Sequence, residues 1–495
     1  MSPICRLPVE LLAQIFTECF PFGELDVPVL GAAALALSRV SRQWRAIAHS
    51  MPALWATFTF AEGPGSKKCP LNWAARRLEF KSFITRSGEL PLSFRCCIFA
   101  SFVEIDTHPI LSTLFKLSHR WRNVRLSLPY LTFLDMRYRR PWSLPDLEHL
   151  ILEGPRHYLD EDPPETFSVA PRLTRLSLQN YVEPTRVFSL PWSQIRHLHL
   201  KENRIEGTDY GVVLQQATNL ESLVSEYNSF GQFPFPNPIT CPRIKSLTVL
   251  TKKPCVDGFL ESLVLPNLMH LDLRFWGFSG PEIDAAVQFL EHSGLSVVNF
   301  TCKISDDLQL FRLLDKMPHL THVDLRGPLI RPSLVERLRI CGGRPRTQTQ
   351  LEVASPLGLA VNLDPESAAD SDNENVSLSS PSAANHNASE SSSGTLDPPP
   401  PCFLPRLESL LLRDDGLSPD LNGLTDAIIS RIQVARESKN VSPLKRVEVL
   451  IRIELEMAAT SQFKKLVETG CDKHVLVRLA DRSHNGALCF LWAIC

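Results

Sequence analysis

One spacing recurs along this chain and limits what it can fold into. It is an apolar residue, two of any kind, a second apolar residue, one of any kind, and a third apolar residue. Clear copies are Leu147/Leu150/Leu152, Leu173/Leu176/Leu178, Ile195/Leu198/Leu200, Ile244/Leu247/Val249 and Leu268/Leu271/Leu273. Looser copies start at Trp121, Leu220, Leu295, Leu320, Leu407 and Leu444. From Trp121 to Leu320 successive copies begin 26, 26, 22, 25, 24, 24, 27 and 25 residues apart. Alternate residues of a strand share a face, so each copy predicts one short strand with its last two apolar residues on one side. A single copy cannot bury that side, and neighbours must stack to do so.

The segments between copies carry helical periodicity. Pro281–Glu291 aligns Ile283, Val287 and Leu290; Asp306–Lys316 aligns Leu310, Leu313 and Leu314; Ala427–Glu437 aligns Ile428, Ile432 and Ala435. A period within about 20–29 residues is that of leucine-rich repeats. Asn follows the strand in only two units, as Asn203 and Asn228, so the predicted array is an irregular α/β solenoid. Residues 341–402 interrupt it. They open on Gly342-Gly343, are rich in Ser, Asn, Asp and Pro, and hold eight acidic residues and no Lys or Arg between Thr347 and Pro405. Such composition cannot offset its ordering entropy, which predicts a disordered insert. The array resumes at Leu407, with 457–467 and 475–479 expected to close it.

The first sixty residues follow a different rule. Pro8 suits a helix start, and Leu12, Ile15, Phe16 and Cys19 mark an apolar stripe behind it. A second stripe runs Leu37, Val40, Trp44, Ile47 and stops before Pro52, predicting two short helices. The wording Leu7-Pro8-x-Glu10-Leu11-x-x-x-Ile15-Phe16, then Val40-Ser41-x-x-Trp44-Arg45 and Pro52-x-Leu54-Trp55, resembles the F-box. Two departures stand out: a long segment between the helices, with an apolar run from Val27 to Leu37, and Ser41 where many members have Cys. Beyond it, Leu71–Arg86 reads as a helix with Leu78 and Phe83 inward. Ser87–Leu92 and His119-Arg120-Trp121 resemble the region after the F-box in fungal F-box proteins.

The expected organisation is therefore an F-box at 1–60, a connecting region and solenoid entry at 61–120, repeats at 121–340, the acidic insert at 341–402, and the rest of the array with its cap at 403–495. The resemblance implies docking onto a Skp-type adaptor of cullin–RING ubiquitin ligases. Leu7, Pro8, Leu11, Ile15, Phe16, Val40, Trp44, Leu54 and Trp55 would form or support that surface.

Composition narrows the alternatives. A formal net charge of −2 over 495 residues argues against a general binder of nucleic acid or anionic membrane. The apolar ending Ala487–Cys495 is too short to span a bilayer. Thirteen cysteines without a Cys-x-x-Cys pair, and with no signal peptide ahead of them, predict reduced thiols in the cytosol or nucleus. No Gly-rich phosphate loop, His-Glu-x-x-His or Gly-x-Ser-x-Gly occurs, so neither catalytic residues nor a cofactor is expected. His149, His197, His270 and His322 each precede the second apolar residue of a strand. Their two-repeat separations, roughly 10 Å at about 4.8 Å per strand, are too wide for a shared metal. The outward strand positions instead present polar residues for a partner: His199, Asp272, Arg274, Asp324, Arg326 and Arg413 foremost, with Lys201 and Glu226. The expected function is a non-enzymatic substrate receptor for a target protein of unknown identity; a repeat scaffold with no ubiquitin role is the alternative.

Overall fold

The computed structural model describes residues 3–18, 32–62, 73–98, 105–106, 108–136, 142–154, 165–181, 188–205, 207–230, 238–251, 257–275, 280–293, 296–303, 306–327, 331–339, 403–414, 421–437, 441–442, 444–451, 476–481 and 488–493. Cys19, the 27–31 part of the N-terminal linker, the insert at 341–402 and the 457–467 segment lie outside them.

Among the described residues one sheet of fifteen strands dominates, its members side by side in chain order. They are β1 (Thr57–Glu62), β2 (Leu92–Ile98), β3 (Trp121–Ser127), β4 (His149–Glu153), β5 (Arg175–Gln179), β6 (His197–Lys201), β7 (Ser222–Glu226), β8 (Ser246–Thr251), β9 (His270–Phe275), β10 (Asn299–Lys303), β11 (His322–Arg326), β12 (Ser409–Asp414), β13 (Arg446–Ile451), β14 (Leu476–Asp481) and β15 (Leu488–Ala493). Every neighbouring pair from β1 to β14 is parallel, and β15 returns antiparallel. Parallel neighbours need a crossover between them. The helices Gly280–Ser293, Asp307–Leu314 and Leu421–Glu437 lie in three of these crossovers, close to their expected spans.

Register follows the repeat. Leu150, Leu176, Leu198, Leu223, Leu247, Leu271, Phe300, Val323 and Leu410 are successive partners on one rung, and all are buried. A second buried rung runs two residues on, from Leu152 to Leu412, with Ser225 as its polar member. A one-residue slip in any strand would turn both rungs outward, so burial fixes the register.

The two asparagines after strands knit the turns together. Asn203 Oδ1 accepts from Tyr181 N at 2.8 Å while its Nδ2 donates to Leu178 O at 2.8 Å. Asn228 repeats this one unit on, accepting from Asn203 N at 2.9 Å and donating to Leu200 O at 2.9 Å. Both are buried, and each hydrogen bond removes a backbone group from the unpaired list. Asn180, Glu202 and Tyr227 sit in the left-handed region at the same turn, with φ of 62°, 52° and 53°.

Three features depart from expectation. The ladder begins at Thr57, ahead of the first recognisable repeat at Trp121, because β1 and β2 carry aromatic and Cys residues where later strands have Leu. The predicted second N-terminal helix is two: α2 (Ala32–Val40) and α3 (Arg42–His49), α1 being Val9–Glu18. Ser41 makes the break, since its extended backbone leaves the helix and its Oγ accepts from Trp44 N at 3.1 Å, an N-cap. Leu78 is not inward. In α4 (Trp73–Arg86) it is 66% exposed, and the buried pair is Phe80 and Phe83, three residues apart. No helix among the described residues is long and apolar enough to cross a membrane.

Candidate docking surfaces

The N-terminal helices divide their apolar residues between two roles. Leu12 and Phe16 of α1 are fully buried, with Leu37 and Ile47 from α2 and α3 in the same core. Trp44 is half-buried, its ring 4.9 Å from Phe16. Leu54 and Trp55 are buried too, so they support the surface from beneath. The Trp55 indole donates to Ala48 O at 2.7 Å, and the Arg86 guanidinium lies 4.6 Å above its ring. Aromatic contacts then run from Trp55 to Phe83 at 5.0 Å, Phe83 to Phe58 at 5.9 Å, Phe58 to Phe94 at 5.5 Å and Phe94 to Trp121 at 5.3 Å. One packed chain of rings thus ties the helices to β1, β2 and β3. Arg120, buried, locks the same joint by donating to Leu90 O at 2.8 Å and Ser87 Oγ at 2.9 Å.

The remaining apolar residues face solvent. Leu11 is 44% exposed, Ile15 39%, Val9 50% and Val40 60%; Ile4 is also open, Pro8 is exposed and Leu7 is half-buried against the core. Leu11 and Ile15 are four apart, hence on one face of α1, about a quarter-turn round from Leu12 and Phe16. The expected stripe had grouped Ile15 with Leu12 and Phe16 without dividing the buried from the exposed. The apolar arc of the helix is instead wider than the part of it that is covered among the described residues. Val9 and Ile4 extend this open set; sequence reasoning passed over them because they precede the regular periodicity.

The second surface is the sheet face that carries the rungs alternating with the buried ones. Every residue predicted for partner contact lies on it. His199 Nε2 and Lys201 Nζ each lie 3.0 Å from Glu226, whose carboxyl is held down to about 2 by the His199 hydrogen bond and by Lys201. Asp272 takes both Nε, at 2.8 Å, and Nη2 of Arg274. Asp324 pairs with Arg326 at 2.9 Å and, across strands, with Arg413 at 3.5 Å. Lys303 shares the register of Arg274 and Arg326 and had been overlooked, though its place after the loose copy at Leu295 was enough to find it.

The histidines also face this side. Arg175 separates His149 from His197 in the ladder, and Asn299 separates His270 from His322. Burial, with Arg175, lowers the His149 pKa to about 4. No group of three or more His, Cys, Asp or Glu poised to hold a metal occurs among the described residues.

Residues 4–61 match the F-box-like family model, a span ending inside β1. The chain thus carries an F-box-like domain joined to a large, mostly parallel sheet. A search of curated proteins gave no match.

Proposed function

We propose that this chain is a non-enzymatic substrate receptor of an SCF-type cullin–RING ubiquitin ligase, acting in the cytosol or nucleus. The F-box-like domain docks a Skp-type adaptor through Leu11, Ile15 and Val40, with Leu7, Pro8 and Trp44 alongside. Phe16, Leu54 and Trp55 hold those residues in place from below. The sheet is the core of a leucine-rich-repeat solenoid whose open face, with His199, Asp272, Arg274, Asp324, Arg326 and Arg413, holds the target protein. Transfer of ubiquitin is then promoted by proximity, as the receptor raises the effective concentration of target at the ligase. No cofactor or metal enters.

The observation that supports this most is the set of large apolar residues left open within the span matching the F-box-like model. Exposed apolar side chains grouped on one small helical module mark a protein-binding surface. The test is co-purification of the full chain with a recombinant Skp-type adaptor. Wild type is expected to retain the adaptor and Leu11→Asp/Ile15→Asp to lose it; equal retention by both would refute the docking surface.

A further inference from the structure

Among the described residues the open face carries a local charge imbalance. Arg274 of β9, Lys303 of β10, Arg326 of β11 and Arg413 of β12 are partners in a single rung across four adjacent strands. The rung two residues earlier holds Asp272, Thr301, Asp324 and Leu411. Four cations therefore stand over two carboxylates, in a chain whose overall charge is −2. On the neighbouring strand β8 the same two positions are Thr248 and Leu250, with no charge.

The arginines are partly ordered in advance. Asp272 holds Arg274 by two contacts, and Asp324 bridges Arg326 and Arg413. Their side chains keep 24–31% of their surface exposed, so a ligand on the open face can reach them. A guanidinium presents a planar fork that suits carboxylate oxygens, and side chains ordered beforehand lose less entropy on binding.

Spacing chooses the ligand. Four strands about 4.8 Å apart set the outer cations roughly 14 Å apart. In an extended peptide, side chains on one face recur every two residues, about 6.6 Å. Three acidic residues at alternate positions thus span about 13 Å, the width of the rung.

We propose that this rung receives an extended acidic segment, of the pattern acidic-x-acidic-x-acidic, from the target polypeptide, the peptide crossing β9 to β12. Its assignment to a ligase target rests on the function proposed above; the binding itself does not.

The test is fluorescence anisotropy of the full chain with labelled Glu-Ser-Glu-Ser-Glu-Ser and its Gln counterpart. The Glu peptide is expected to bind at low salt, to weaken as salt screens the contacts, and to exceed the Gln peptide. Arg326→Gln/Arg413→Gln should lower its affinity about tenfold or more, as loss of charge-assisted contacts does. Lys303→Gln leaves both arginine–aspartate pairs intact and should weaken binding about threefold; it serves if the double variant unfolds. Arg196→Gln, a surface cation outside the rung, should change nothing. Equal binding of the two peptides, no binding of the Glu peptide at low salt, or full affinity in the rung variants would overturn the proposal. Failure of adaptor capture with peptide binding intact would instead count against the ligase reading alone.

Discussion

At the scale of single residues, two sites report on how tightly the repeats are stacked. Gly154 follows β4 where the Tyr181 ring packs against the backbone, and a Cβ built there would overlap that ring. Tyr181 is buried, so it cannot swing into solvent. Gly154→Ala should lower stability by about 1–3 kcal/mol, the usual cost of overpacking, read as a lower denaturant midpoint. His149 reports through protons. Its folded pKa of about 4 lies below the ordinary 6.5, so the unfolded chain takes up the proton first as pH falls. Stability present above pH 6.5 is therefore lost as pH drops towards 4. In His149→Gln the loss of denaturant midpoint between pH 7.5 and 5 should be smaller than in wild type. Neither effect is legible in the sequence: Gly154 looks like an ordinary loop glycine, and the burial of His149 depends on what the neighbouring strands place around it.

At the scale of elements, the N-terminal helices show what periodicity can and cannot assign. The repeat spacing located β3 to β13 because each strand needs the same two inward residues, and the physics leaves no other face to bury. A short helix whose apolar arc is wider than the face it buries offers no such constraint. In α1, Leu11, Leu12, Ile15 and Phe16 are equally apolar, and packing alone decides that Leu12 and Phe16 go in. Likewise the stripe from Leu37 to Ile47 runs straight through Ser41, whose capping hydrogen bond ends one helix and starts another. β1 escaped notice because aromatic residues there replace the Leu pattern, while the same aromatics make the joint. The two roles separate by mutation. Trp55→Ala should cost about 3–5 kcal/mol, as for other fully buried Trp residues. Leu11→Asp/Ile15→Asp, at exposed positions, should change stability by less than about 1 kcal/mol, two surface changes of up to about 0.5 each. Chemical denaturation of both variants checks the contrast; a large loss in the second would mean that its residues are core.

At the scale of the molecule, the joint gives the two surfaces a fixed relation. The ring chain from Trp55 to Trp121 and the Arg120 clamp connect the F-box-like domain to the sheet without an intervening polar gap, so adaptor and target would be held in one geometry. That suits a receptor acting by proximity, since a stiff connection keeps the effective concentration high where a loose one dilutes it. Replacing Phe83 with Ala should loosen the joint and cost about 3–5 kcal/mol, the range for a buried Phe, measured by the thermal or denaturant midpoint of the full chain. The repeat count and the N-terminal motif made both halves of this plan readable from sequence; how they join lay in contacts between residues that are far apart in the chain.

Amide hydrogen exchange of the full chain, with and without a Skp-type adaptor, tests the docking surface most directly. The account predicts new protection over residues 4–16 and 40–47, where Leu11, Ile15 and Val40 are exposed, and unchanged exchange along the open face of β9 to β12. Protection on that open face with none in the N-terminal helices would contradict it.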